Sequence, residues 1–95
     1  MERVTELENG CKVKSFGLGE EEHKIAVDLL KNNKREEKGY HVDDSSIFVD
    51  EWIEAAEIKG NNEYADFLKE ANDLGLSVYT LYDDWQPIGE VVLYE

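Results

Sequence analysis

Cysteine, proline and, over most of the chain, positive charge are scarce in these 95 residues, and each scarcity removes a class of protein. A lone Cys11 cannot close an internal disulfide, which excludes a disulfide-stapled secreted scaffold and leads us to expect a reducing, cytoplasmic setting. Pro87 is the only proline, and no stretch is rich enough in Gly, Ser or Pro to act as a linker, so one domain over residues 1–95 is expected. No apolar run approaches the roughly 20 residues of a membrane-spanning helix, and no segment reads as an export signal. Residues 36–95 hold only Lys38, Lys59 and Lys69 against sixteen Asp and Glu, while residues 1–35 balance seven acids with seven bases. The whole formal charge of −13 therefore lies in the later segment. That excludes direct contact with nucleic acid or an anionic membrane through basic patches.

What is present is enough for a core. Hydrophobic residues make up 41% of the chain and aromatics 11%, too many for a disordered acidic tail. Asn9-Gly10 lies between two short β-prone runs, residues 4–7 and 11–14, and signals a hairpin with a two-residue turn. Gly17 and Gly19 break the second strand, and residues 20–35 read as a helix with Ile25, Ala26, Leu29 and Leu30 on its apolar face. Its acidic start and basic end both suit the helix dipole. Gly39 is a stop, and residues 40–42 are extended at most. Asp43, Asp44, Ser45 and Ser46 are N-cap candidates for a second helix over 47–59, which buries Phe48, Trp52, Ala55 and Ala56. Residues 63–74 follow as a third helix through Tyr64, Phe67, Leu68 and Ala71, with Gly75 at its C-cap. Residues 76–82 and 88–94 alternate as strands, joined by a five-residue connection. The expected fold is α+β, in the order ββαααββ. About four antiparallel strands, from an N- and a C-terminal hairpin, carry about three helices on one face. Trp52, Phe67, Leu68, Ile25 and Leu29 form its core.

Little in the chain points to catalysis. Cys11, His23 and His41 supply the residue types of a nucleophile, a base and an orienter, but without a local motif a small buried apolar cysteine is the better account of Cys11. His41, Asp43 and Asp44 cluster, yet helix capping explains both acids, and no metal-ligand spacing is present. Gly17-Leu18-Gly19 lacks the lysine of a phosphate loop and is followed by three glutamates that repel an anion. No enzyme activity, cofactor or metal is expected.

The helical acids carry more information. Asp50, Glu54 and Glu57 share one face of the second helix, and Glu63, Asp66, Glu70 and Asp73 one face of the third. At about 1.5 Å rise per residue, the latter row spans roughly 15 Å, a charge density of the order found along nucleic acid phosphates. Asp50/Glu54 and Asp66/Glu70 are like-charge pairs at i,i+4, and Asp73 sits near a helix C-terminus, where a cation is preferred. Choices that break local rules tend to mark function. Trp85, with Asp83 and Asp84 in the last connection, reads first as a lid over the core edge and second as a recognition aromatic. These ten residues are the candidate partner-binding set. The expected function is inhibition of a basic, nucleic-acid-binding protein by occupying its groove, as phage- and mobile-element-encoded acidic inhibitors do. The alternative is an adaptor or assembly partner that binds through an apolar patch or sheet edge.

Overall fold

Turn chemistry decides where the elements begin. The computed structural model describes residues 1–95. Its first hairpin pairs β1 (Glu2–Glu6) with β2 (Lys12–Phe16), Val4 opposite Lys14. The loop holds three residues instead of two: Leu7 N–H donates to Cys11 C=O at 2.7 Å, and only Gly10 takes a positive φ, of 87°. A three-residue loop ending in a left-handed glycine shifts the register by one from that of a two-residue Asn9-Gly10 turn. Cys11, at its end, is only partly buried.

Helix α1 (Glu20–Lys31) stops four residues short of the expected end. Asn33 is left-handed (φ 53°), and Arg35 C=O accepts from Val42 N–H at 2.9 Å, so the chain is recruited to the sheet. There a short second hairpin forms from β3 (Glu36–Glu37) and β4 (Tyr40–Asp44) around Lys38-Gly39, both at positive φ. A 3-10 turn, Ser46–Phe48, leads into α2 (Val49–Ile58), and α3 (Asn62–Asp73) follows. Strands β5 (Val78–Asp83) and β6 (Gln86–Tyr94) complete the chain. Their connection is two residues, Asp84-Trp85, rather than five, with φ 50° and 68°. Pro87 enters the strand beside a bulge at Leu81/Tyr82, where a ladder N–H is dispensable.

The fold is α+β with one antiparallel sheet of six strands, ordered β1-β2-β6-β5-β4-β3. It departs from the expected four strands and from ββαααββ by the hairpin β3–β4. The helices also cover both faces of the sheet, not one. Under α1, Val13, Leu81, Val91 and Val42 meet Ala26 and Leu29. On the opposite face, Val78 and Val92 meet Val49 of α2 and Phe67, Leu68 and Ala71 of α3. Phe67, Leu68 and Leu29 are buried as expected, while Ile25 and Trp52 are only partly so. Phe48 and Ala55 are exposed: the inward row of α2 runs through Val49, Trp52, Ile53 and Ala56, and Phe48, in the 3-10 turn, only stacks on Trp52 from outside.

One polar group is built into the α1 face. His23 is 5% exposed, its Nδ1 2.6 Å from Ser15 Oγ and its Nε2 2.8 Å from Thr5 Oγ1. Burial first, and the Arg3 cation second, hold its pKa below 6.5. Between that lowered value and about 6.5 the unfolded chain binds more protons than the folded one. Stability contributed by neutral His23 is therefore complete above about 6.5 and is lost as the pH falls through this window. Urea unfolding at pH 7 and pH 5.5 is expected to show a larger loss for the native chain than for His23→Gln. Equal losses would mean that the imidazole titrates freely.

Candidate functional site

All ten candidate residues are exposed, but they form three groups rather than one surface. The first lies along the outer seam of α2 and α3. Asn72 Nδ2 donates to Asp50 Oδ1 at 3.4 Å, and Lys69 Nζ donates to Glu57, so the helices run antiparallel with their acids adjacent. Glu54 lies between Asp50 and Glu57 on α2, and Asp66 and Asp73 flank Lys69 on α3. The bond from Glu57, then the charges of Asp66 and Asp73, raise the Lys69 pKa above its ordinary value. The seam thus carries Asp50, Glu54, Glu57, Asp66 and Asp73 with one lysine, on which Glu57, Asp66 and Asp73 act directly.

The α3 row is not a single stripe. Glu70 turns to the other flank, where Lys14 Nζ of β2 donates to it at 2.9 Å while sitting 4.5 Å from the Tyr94 ring centroid. The Lys14 hydrogen bond holds the Glu70 carboxyl below the usual range. Glu63, one seven-residue repeat earlier, shares that flank. Glu70 is therefore an ion-pair partner within the fold and not a free ligand group.

The third group sits at the hairpin ends. Asp84 N–H donates to Gly39 C=O at 3.0 Å, tying the β5–β6 turn to the β3–β4 turn. Trp85 is no lid: it is 79% exposed. A left-handed tryptophan costs about 1–2 kcal/mol relative to glycine in backbone strain. Its ring rests 4.7 Å from that of His41, which stacks on Tyr82 at 4.6 Å and 3°. Glu36, Glu37 and Asp84 border the same end.

Residues offered as catalytic or metal-binding do not converge. His23 is enclosed under α1, and His41 lies on the opposite sheet face, 3.6 Å from Asp43 Oδ2. Asp44 accepts from Ser46 N–H at 2.8 Å in the turn ahead of the 3-10 segment, but none of the four cap candidates caps α2, which begins after Phe48 with no side-chain cap. No group of three or more His, Cys, Asp or Glu side chains is placed to hold a metal ion.

Sequence reasoning missed Glu90. It sits on the interior strand β6, opposite Thr80, in the row that continues with Val92. Burial raises its pKa, while the Tyr64 hydroxyl beside it pulls the other way. Burial and Glu90 together push the Tyr64 phenol far above its ordinary value. A hollow of about 400 Å³ opens beside them between α2 and the sheet. The available signal was a lone acid inside the otherwise apolar run Ile88–Leu93. Comparison with protein-family models, curated proteins and solved structures finds no match to this chain.

Proposed function

We propose that the protein is a non-enzymatic binder that occupies the groove of a basic, nucleic-acid-binding protein and so inhibits it, presenting the outer α2–α3 seam. The reading rests on one observation: five carboxylates of two adjacent helices line a seam that holds a single lysine, and Glu54, Asp66 and Asp73 have no ion-pair partner. Such a surface steers a cationic groove over long range and acts by occupancy. Asp83 and Asp84 extend the negative field at the hairpin end.

Glu70 is a poor residue with which to test this, since its replacement also breaks the Lys14 pair. The triple change Glu54→Gln, Asp66→Asn and Asp73→Asn removes three unpaired exposed charges, at under about 0.5 kcal/mol each. The immobilised native chain is expected to capture a basic protein from host extract at about 50 mM salt and lose it at about 500 mM. Nucleic acid should displace that protein, and the triple variant should bind it about tenfold or more weakly, mainly through slower association. Capture that survives high salt and ignores the triple change overturns the reading.

One observation favours the adaptor alternative: an exposed tryptophan kept at a strained turn position. Trp85→Gly suits that backbone and leaves the acids in place. Loss of a salt-indifferent partner in Trp85→Gly, with the triple variant still binding, would assign recognition to the hairpin end.

A further inference from the structure

We propose that the hollow walled by Trp52, Tyr64 and Tyr82, with the Glu90 carboxylate in its side, binds a small organic monocation, an alkylguanidinium or alkylammonium group on a short apolar body. The hollow lies on the inner flank of α2, against β5 and β6, so it is separate from the outer acidic seam and does not depend on the function proposed for that seam. At about 400 Å³ it falls within the size of small-molecule sites. Ala55 and Ala56 leave the space that larger helix residues would fill.

The chemistry of the wall selects the ligand. Glu90 belongs to a central strand whose neighbours on the same face, Val92 and Val78, are fully buried, so a carboxylate replaces a core residue there. No Lys, Arg or His lies within ion-pair distance of it. A partly buried carboxylate without a cation is a costly arrangement that a ligand cation relieves. Three aromatic side chains around the same space favour a cation over their faces. Thr80 Oγ1 is already bonded to Ser45 Oγ at 2.7 Å, which leaves Glu90 and Tyr64, with the exposed Asn61 at the rim, as the polar groups that orient a ligand. An anion would meet Glu90, with only the exposed Lys59 at the mouth to attract it. That same lysine opposes an entering cation, so its removal is informative.

The test compares n-butylguanidinium with its neutral analogue n-butylurea. Trp85→Phe leaves Trp52 as the only tryptophan, and its fluorescence reads the hollow directly. Butylguanidinium is expected to give a saturable change, with amide shifts confined to Trp52, Tyr64 and residues 80–82. Butylurea should bind about tenfold or more weakly, as charge-assisted contacts are lost. Glu90→Gln should abolish the difference between the two, and Lys59→Gln should strengthen the cation about two- to threefold. The cation-to-neutral comparison needs no change at Glu90, so it stands even if Glu90→Gln folds poorly. The absence of any saturable change, equal binding of the two probes, or an undiminished cation preference in folded Glu90→Gln overturns the proposal.

Discussion

Phe67→Ala is expected to lower the unfolding free energy by about 3–5 kcal/mol. Phe67 is 3% exposed, and its ring centroid lies 5.6 Å from that of Phe16 on β2. Phe16 also meets Tyr64 at 5.2 Å, so one aromatic cluster joins the second strand to α3. The other neighbours are Val49 of α2 and Val78 and Val92 of the sheet. Those groups are fixed by two helices and a paired central strand, which limits collapse into the space left behind, and unrelaxed cavities carry the larger penalties. Urea unfolding followed by circular dichroism should show a lower midpoint with the slope unchanged. A loss below about 1 kcal/mol would contradict this packing.

Leu29→Ala should cost about 2–5 kcal/mol on the opposite face. Leu29 is 1% exposed, and α1 is the only helix covering Val13, Val42, Leu81 and Val91. The two sites belong to clusters on opposite sides of the sheet, so their effects should add to within about 0.5 kcal/mol. Their sum is comparable to the whole stability of a domain this size, about 5–15 kcal/mol. The double variant is thus expected to be largely unfolded at room temperature although each single variant folds. A folded double variant, or single costs that fail to add, would show that the faces share one compressible core.

Helices and hairpins were legible where apolar spacing and glycine agreed. Residues 63–74 have both an apolar period and a glycine stop, and α3 matches them closely. The strand β3 was not legible because Glu36 and Glu37 carry no apolar alternation; main-chain bonding to β4 alone makes it a strand. The Asp84-Trp85 turn was hidden for the converse reason, since a bulky residue at positive φ contradicts turn preferences. Coverage of both faces had a signal in the near-continuous run Ile88–Leu93, since a strand packed on both sides loses its polar alternation. Within the candidate site, spacing placed Asp50, Glu54 and Glu57 on one face. It did not reveal that Lys14, 56 positions away, claims Glu70. A one-dimensional pattern identifies which acids share a helix face, but not which cation the tertiary fold brings to meet them.

The position of β6 also bears on how the chain is made. It is the last strand in chain order, yet it lies between β2 and β5, pairing Ser15 and Tyr79 with the same Val91. A ribosome that has released only the first 85 residues has delivered two separate strand groups with unpaired inner edges and no means of joining them. Completion of the sheet must therefore wait for residues 86–94, and the closing contacts span most of the sequence. Folding of this kind is slow for its size. Until residues 86–94 have left the ribosome, open strand edges and uncovered apolar faces expose the nascent chain to aggregation.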